Sequence, residues 1–304
     1  MKKQPVVFSS LSQLHKAMGQ PAPAHPLISI LNYGEAQFDP RDFEQGMILD
    51  FYKISFKTHF SGQIKYGQGF YDFEAGGMSF IAPGQLLKMQ DEEADYSGMT
   101  LHVHPDFLRP YPLNAGIKQY GFFSYSAAEA LYLSEKEKET ILSIYRFIQD
   151  ELNQRIDKFS QDVICSQLEV LLNYANRFYD RQFITRKAVN HDVLTQLEHL
   201  LDTYFNDGTS LMNGLPSVQA VAEQLKLTPR YLSDLLRNLT GQNTQQLIHE
   251  KVIEKAKEQL AKAELTVAEV AYQLGFEHPQ SFTKLFKNKT SLTPFQFREK
   301  VSKF

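Results

Sequence analysis

The stretch at residues 266–298, TVAEVAYQLGFEHPQSFTKLFKNKTSLTPFQFR, decides the fold of the last third of this 304-residue chain. Residues 217–241, SVQAVAEQLKLTPRYLSDLLRNLTG, show the same pattern about fifty positions earlier. In each stretch apolar residues recur at i, i+3, i+4 and i+7, which marks one face of a short helix. A tight turn follows, and then a second helix that is apolar on one side only. Two helix-turn-helix units are therefore predicted.

The two copies match position by position. Up to the first turn the offset is 49 residues, and it pairs Val218 with Val267, Val221 with Val270, Ala222 with Ala271, Leu225 with Leu274, and Leu227 with Phe276. Beyond the turn the offset is 50, and it pairs Pro229 with Pro279, Leu232 with Phe282, Leu235 with Leu285, Leu236 with Phe286, and Thr240 with Thr290. A single helical pair is also common in plain bundles, but two copies with matched apolar faces favour binding to double-stranded DNA.

These segments resemble the tandem helix-turn-helix domain of the AraC/XylS family of bacterial transcription regulators. The second copy carries the closer match, in EVAYQLGF at residues 269–276 and FTKLFK at 282–287, with Thr293, Pro294 and Arg298. The first copy matches through AEQL at residues 222–225, TPRYLS at 228–233, and TG at 240–241. The resemblance implies a homodimeric transcription regulator that contacts RNA polymerase.

The chain departs from the family pattern at two positions. Ser291 stands where the family usually has glycine, and Phe297 stands where it usually has tyrosine. Gly241 keeps the glycine that ends the second helix of the first copy, where a left-handed conformation is expected. We therefore expect Ser291 to cost some stability without removing a contact to DNA.

Composition and charge agree with a two-part cytoplasmic protein. The single cysteine, Cys165, excludes an intramolecular disulfide. No apolar run resembles a signal peptide or approaches the roughly 18 residues of a membrane span. The net charge of −3 is unevenly distributed, because residues 226–304 hold 13 Lys and Arg against 8 Asp and Glu, whereas residues 1–225 hold 19 against 27. Contact with phosphates is therefore expected at the cationic C-terminal end.

Residues 1–133 are predicted to form short β-strands. Within residues 47–60, side chains should alternate between the two faces of a strand. Ile48, Ile54 and Phe56 would then lie on one face, and the other face would carry Phe51, Lys53, Ser55 and Lys57. Glycines divide the region into short segments, which is typical of a sandwich or barrel. Residues 71–84, YDFEAGGMSFIAPG, resemble the cupin-like domain of many family members, which implies an effector-binding domain. The overall prediction is an α+β chain.

A small organic effector could bind within that domain, which is rich in Phe and Tyr. The candidate effector-binding residues are Phe51, Phe56, His59, Tyr66, Tyr71 and His102. The alternative is that these aromatics simply fill the core. His102 and His104 are spaced to face the same side of a strand, but no carboxylate and histidine set completes a metal site. We therefore expect no metal, no cofactor and no catalytic residues.

A helical section is predicted at residues 134–186. Ser134 and Glu137 form a capping box, and an apolar stripe follows at Ile141, Ile144, Tyr145, Ile148 and Leu152. A second helix begins near Ser160, with a stripe at Val163, Ile164, Leu168, Leu171, Leu172, Ala175 and Phe178. The second stripe is the preferred homodimer surface, and packing within the chain is the alternative. The polar residues 181–190 are interpreted as a linker, and residues 187–304 as the DNA-binding domain.

Outward polar residues on the second helix of each copy are the candidates for DNA contact. They are Thr228, Arg230, Ser233, Asp234, Arg237 and Asn238 in copy one, and His278, Gln280, Ser281 and Lys284 in copy two, with Lys287, Lys289 and Arg298 as candidate phosphate contacts. Arg230 suits guanine and Gln280 suits adenine. A carboxylate is unexpected beside phosphates, so we expect Asp234 to pair with Arg230 or Arg237 rather than to accept from cytosine.

Residues 244–262 predict one helix of about 28 Å. It separates the second helices of the two copies, which are the predicted recognition helices. That length suits successive major-groove faces, which lie about 34 Å apart. The sequence thus predicts a sequence-specific DNA-binding transcription regulator. Two alternatives are a metal-dependent cupin enzyme fused to a helical domain and a non-specific architectural DNA-binding protein.

Overall fold

The computed structural model describes residues 4–37, 43, 45–58, 64–66, 69–71, 76–87, 97–126, 129–155, 157–185, 187–262 and 265–301. The chain divides into two compact units, Met1–Gln182 and Phe183–Phe304. The first unit carries the strands together with helices, and the described part of the second unit is helical. The chain is therefore α+β, which confirms the predicted fold class. No helix in the described ranges is long and apolar enough to cross a membrane.

The strands in the described part of the first unit form three sheets. They are β1 (Val6–Phe8), β2 (Ile28–Asn32), β3 (Met47–Leu49), β4 (Tyr52–Lys57), β5 (Ile64–Tyr66), β6 (Gly69–Tyr71), β7 (Gly77–Ile81), β8 (Leu86–Leu87), β9 (Gly98–Val103) and β10 (Leu131–Tyr132). The largest sheet has the order β10-β7-β4-β9-β2, with β4 antiparallel to both β7 and β9. A three-stranded sheet has the order β1-β3-β8, and β5 pairs with β6. The cupin-like resemblance of residues 71–84 remains a prediction.

The α-helices of the described part of the first unit are α1 (Leu11–Ala17), α2 (Pro105–Leu108), α3 (Leu113–Gly116), α4 (Glu135–Asn153) and α5 (Ser160–Thr185), and α5 continues past the boundary between the units. Of these, α4 and α5 cover one face of the five-stranded sheet. The capping box of Ser134 and Glu137 begins α4 as predicted. Tyr145 of α4 is fully buried and donates from its hydroxyl to the carbonyl oxygen of Ile54 at 2.8 Å. The apolar stripe of α4 therefore packs on the sheet.

The stripe of α5 is also buried inside the first unit. Its buried members are Ile164, Leu168, Leu171, Leu172, Ala175 and Phe178, whereas Val163 is 42% exposed. These six side chains are already covered by their own chain, so the prediction that this stripe is the dimer surface is wrong. A dimer through α5 would require the opposite face of the helix.

The predicted linker at residues 181–190 is mostly helical. α5 runs to Thr185 and the next helix begins at Lys187. The buried side chains of this stretch are polar as well as apolar, because Gln182 and Asn190 are both 2% exposed. The polar composition of residues 181–190 suggested an irregular linker, but the described residues of this stretch are helical.

The second unit contains both helix-turn-helix copies. Its helices are α6 (Lys187–Asn206), α7 (Thr209–Asn213), α8 (Val218–Gln224), α9 (Pro229–Thr240), α10 (Thr244–Ala261), α11 (Val267–Gln273), α12 (Pro279–Thr290) and α13 (Pro294–Val301). α8 and α9 form the first copy, and α11 and α12 form the second. α10 joins the copies, and Asp202 of α6 is held against it by Lys251 at 2.9 Å and Lys255 at 3.3 Å.

Candidate nucleic-acid interface

The second helix of each copy follows a turn and begins at a proline, and a side chain caps that helix in the first copy. Thr228 caps α9, because its hydroxyl accepts from the backbone N–H of Tyr231 at 3.3 Å. Pro229 and Pro279 occupy the first positions of α9 and α12, where the missing N–H has no helical partner to lose. The predicted boundaries of both copies are confirmed.

The turn between the two helices of each copy uses a left-handed residue at matched positions. In the second copy this residue is Gly275, with φ of 88°, and a Cβ there would lie 2.5 Å from the carbonyl carbon of Gly214. The matched residue of the first copy is Lys226, with φ of 57°. A second left-handed position ends each recognition helix, at Gly241 with φ of 77° and at Ser291 with φ of 64°. Each copy thus carries one glycine and one non-glycine at its two left-handed positions.

The exposed face of α9 carries an arginine–carboxylate–arginine network. The Nε of Arg230 donates to Asp234 at 2.8 Å, and the Nη1 of Arg237 donates to the other carboxylate oxygen at 3.0 Å. The predicted pairing of Asp234 is therefore confirmed, and it involves both arginines. The network leaves one net positive charge on this face and orients both guanidinium groups. Asn238 is exposed beside them.

Two predicted DNA-contacting residues of the first copy have other contacts. The hydroxyl of Ser233 lies 3.0 Å from the hydroxyl of Thr244, which is fully buried at the start of α10. The prediction that Ser233 points outward is therefore corrected, since it is half-buried and joins α9 to α10. Thr228 is half-buried and its hydroxyl is used as the helix cap. Of the predicted DNA-contacting residues of the first copy, Arg230, Arg237 and Asn238 are exposed.

The recognition helix of the second copy is more cationic. Its exposed residues include Gln280, Ser281, Lys284, Lys287 and Lys289, and His278 is exposed at its N-terminal cap. Lys289 lies 3.8 Å from Glu250, whereas Lys284 and Lys287 form no ion pair within the described ranges. Three lysines on one short helix provide a surface for phosphate oxygens.

Arg298 differs from the exposed cations. It lies on α13 and is half-buried, and its Nε and one Nη are shielded from solvent without a hydrogen-bond partner. A side chain in this position is less accessible to a phosphate than the sequence predicts. We therefore correct the expectation that Arg298 stands on the surface with Lys287 and Lys289.

Both recognition helices are held by the same connecting helix. α9 and α12 each contact α10, which begins with a capping box formed by Asn243 and Gln246. The inward residues Ile248, Val252, Ala256 and Leu260 are buried. At about 1.5 Å for each residue, the 18 residues of α10 extend about 27 Å. Because α10 packs into the core of the domain, it fixes the separation of the two helices.

The three candidate effector-binding residues whose side chains the structure describes, Phe51, Phe56 and His102, do not share one face of the sheet. Phe56 is fully buried on the helix-covered face of the sheet, with its ring 6.3 Å from that of Tyr145. Phe51 and His102 contact each other, with ring centroids 5.5 Å apart, and His102 lies on the opposite face of the sheet. Phe56 is therefore a core residue, and the prediction that it lines an effector pocket is corrected. His59 and the side chains of Tyr66 and Tyr71 lie outside the described residues.

Metal chemistry receives no support from the described residues. Within those ranges no group of three or more His, Cys, Asp or Glu side chains is placed to hold a metal ion. His104 instead caps α2, since its ring nitrogen accepts from the backbone N–H of Asp106 at 3.2 Å.

Comparison with known proteins identifies the second unit. Residues 221–300 match a family model described as a helix-turn-helix domain. An uncharacterized transcriptional regulatory protein, YesN of Bacillus subtilis strain 168, is 34% identical over 83 residues, which cover 27% of this chain and 23% of YesN. The HTH-type transcriptional activator RhaS of Salmonella newport strain SL254 is 28% identical over 141 residues, or 46% of each chain. The chain thus spans less than half the length of either relative.

A solved structure is similar to part of this chain. The C-terminal domain of the two-component response regulator yesN from Fusobacterium nucleatum is 31% identical, with a TM-score of 0.29, and the match covers 33% of this chain and 96% of that one. The family model shows that residues 221–300 are a helix-turn-helix domain. The predicted resemblance to the AraC/XylS family is confirmed for this part of the chain.

Proposed function

We propose that the protein is a sequence-specific DNA-binding transcription regulator without catalytic activity, acting in the cytoplasm. The observation that carries this proposal is the pair of recognition helices, α9 and α12, fixed on one connecting helix and both cationic on their exposed faces. Successive major-groove faces are about 34 Å apart, which is close to the length of α10. One subunit would then cover two adjacent major-groove segments. The relatives YesN and RhaS, both named as transcriptional regulators, support the same function.

Within this interface we assign different roles to the exposed residues. Arg230 lies near the N-terminal end of α9 and is held by Asp234, so its guanidinium is oriented for bidentate contact with guanine. Gln280 at the start of α12 suits adenine, because an amide can donate and accept on the same base edge. Lys284, Lys287 and Lys289 contact phosphates and supply affinity without base preference.

Titration of DNA with the full-length protein tests these roles. Genomic fragments that the protein retains serve as the preferred sequence, and a shuffled duplex serves as competitor, over a series of salt concentrations. The logarithm of affinity should fall linearly with the logarithm of salt concentration. Arg230→Ala should cost about 1–3 kcal/mol on the preferred sequence and relax preference at one base pair.

Lys287→Ala should instead weaken binding to all sequences alike, and Lys136→Ala, an exposed lysine of α4, is the control that should change neither. Full base preference retained by Arg230→Ala would show that its assignment is wrong. Equal affinity of the wild-type protein for both duplexes would contradict sequence-specific binding as a whole.

We also propose that the protein acts as a homodimer through the exposed face of α5. Val163 and Val170 are 42% and 40% exposed and lie seven residues apart, which is the spacing of one position of a coiled-coil seam. This face replaces the buried stripe that the sequence suggested. Contact with RNA polymerase stays a prediction from the family resemblance.

The first unit is proposed to bind a small effector that changes DNA affinity. Such a change requires that the effector binds two conformations of the protein unequally. Phe51 and Phe56 are fully buried core residues. The face of the five-stranded sheet that carries Ser29, Lys53 and His102 supports this role better.

A further inference from the structure

The face of the five-stranded sheet that points away from α4 and α5 carries mainly polar side chains, and several of them are buried. Strand register brings Ser29, His102 and Lys53 into one row across β2, β9 and β4, and Ile81 of β7 extends this row. The next row contains Leu31, Thr100, Ser55 and Ser79. Ser29, His102, Ser55 and Thr100 are each 4% exposed or less. The inner face of a plain β-sandwich is apolar, so packing alone does not account for these residues.

Some of these groups satisfy one another and others do not. The hydroxyls of Tyr33 and Ser55 lie 2.8 Å apart, so the second row is hydrogen-bonded. By contrast, Nδ1 of His102 and the hydroxyl of Ser29 are buried without a hydrogen-bond partner. Each such group costs about 1–3 kcal/mol when it is left unpaired. A protein keeps several of them at one place when something else pairs with them.

His15 of α1 adds a third unpaired polar atom to this region. Its Nδ1 lies 2.7 Å from the carbonyl oxygen of Pro21 and must donate to it. Nε2 is buried and has no partner. Burial, together with the nearby Lys53 and His15, holds the pKa of His102 well below its usual value, so that imidazole is neutral at pH 7.

Lys53 gives the face its charge. Its ammonium lies 5.6 Å from the ring centroid of Tyr33, and the side chain is half-buried. It forms no ion pair within the described ranges. None of the residues that the register places on this face of β2, β4, β7 and β9 is acidic. A half-buried cation among neutral acceptors and hydroxyls favours an anion over a cation.

We propose that this face binds a small hydroxylated organic acid, with its carboxylate at Lys53 and its hydroxyls at Ser29, His102 and His15. The proposal rests on the effector role proposed for the first unit and names the chemistry of the effector. A purely apolar molecule would leave the buried nitrogens and the Ser29 hydroxyl unpaired. A neutral sugar would pair with them and leave the ammonium of Lys53 without a counter-charge.

Calorimetric titration of the full-length protein tests the proposal with matched probes. The acids are D-gluconate, D-glucuronate, L-malate and L-lactate, and the neutral counterparts are sorbitol, D-glucose and glycerol, at constant ionic strength. At least one acid should bind about tenfold more tightly than its neutral counterpart, because a charge-assisted hydrogen bond is stronger than a neutral one. Failure of every acid to bind, or equal binding of acid and neutral counterpart, overturns the proposal.

Variants then locate the site. Lys53→Met should weaken binding of the acid about tenfold or more, whereas the exposed control Lys118→Met should leave it unchanged. Ser29→Ala should weaken binding several-fold while raising the melting temperature of the free protein, because it removes an unpaired buried hydroxyl. Unaltered binding by Lys53→Met would place the ligand elsewhere and overturn the assignment.

DNA affinity is measured in parallel without any acid, so that the two proposals fail separately. Loss of acid binding with normal DNA binding contradicts only this inference. Acid binding without DNA binding contradicts the proposed regulator function and leaves the ligand site in place.

Discussion

Replacement of Ser291 by glycine should stabilise the second unit. Ser291 ends α12 with φ of 64°, and its backbone N–H donates to the carbonyl oxygen of Lys287 at 2.8 Å. Gly241 ends α9 with almost the same geometry. Its φ is 77°, and its backbone N–H donates to the carbonyl oxygen of Arg237 at 2.9 Å. A left-handed conformation costs a residue with a side chain about 1–2 kcal/mol. Glycine avoids that cost but loses about 0.5–1 kcal/mol in chain entropy, so the net gain should be about 0.5–1 kcal/mol.

Thermal unfolding followed by the helical circular dichroism signal measures this gain in the full-length protein. For a unit of this size Ser291→Gly should raise the melting temperature by about 2–5 °C. Gly241→Ser makes the reverse change in the first copy and should lower it by a similar amount. The doubly substituted protein should then unfold close to the wild type, since distant sites add.

Ser291→Ala is the matched control, because alanine also has a Cβ in the left-handed region and should change little. Equal stability of the glycine and alanine variants would refute the reasoning, since strain at this position would then not contribute to stability.

Three further outcomes are expected. Asp234→Asn removes the carboxylate that binds two arginines, so affinity for random DNA should rise and the salt dependence should steepen by up to about one unit; a lower affinity would contradict this. Leu171→Glu buries a charge at a fully buried position and should unfold the first unit, whereas Val170→Glu should leave it folded and only weaken self-association in sedimentation. Hydrogen bonds from Lys251 and Lys255 lower the pKa of Asp202 below 3.8, so its contribution is present above about pH 4 and lost below it; Asp202→Asn should reduce the acid sensitivity of unfolding.

The helix-turn-helix copies could be predicted closely because their determinants are local. Caps such as Ser217 and Thr266, the proline at each second helix, and the apolar face at helical spacing all lie within a few residues of the structure that they specify. The pairing of Asp234 was predictable for the same reason, since its partners are three and four residues away.

The helical state of residues 182–185 and 187–190 could not be predicted from an apolar period. Gln182 is buried because its side chain bonds the backbone of Ala130 and Tyr132, about fifty residues away. Asn190 is buried through a hydrogen bond to the carbonyl oxygen of Phe183. Such polar burial depends on partners that a local pattern does not contain.

The polar face of the sheet depends on register in the same way. Ser29, Lys53 and His102 come from three strands that are far apart in sequence, and only their pairing brings them into one row. A partial signal existed in residues 52–57, where Lys53 and Ser55 alternate with apolar residues. That alternation indicated two different faces, but it could not show that the polar face would be buried.

Footprinting on a genomic fragment retained by the full-length protein tests the central claim most directly. If α9 and α12 both enter the major groove, one subunit should protect two segments about one helical turn apart. Arg230→Ala should reduce protection at one segment, and Gln280→Ala should reduce it at the other. Uniform protection that a shuffled fragment reproduces, or one segment that responds to both substitutions, would contradict the account.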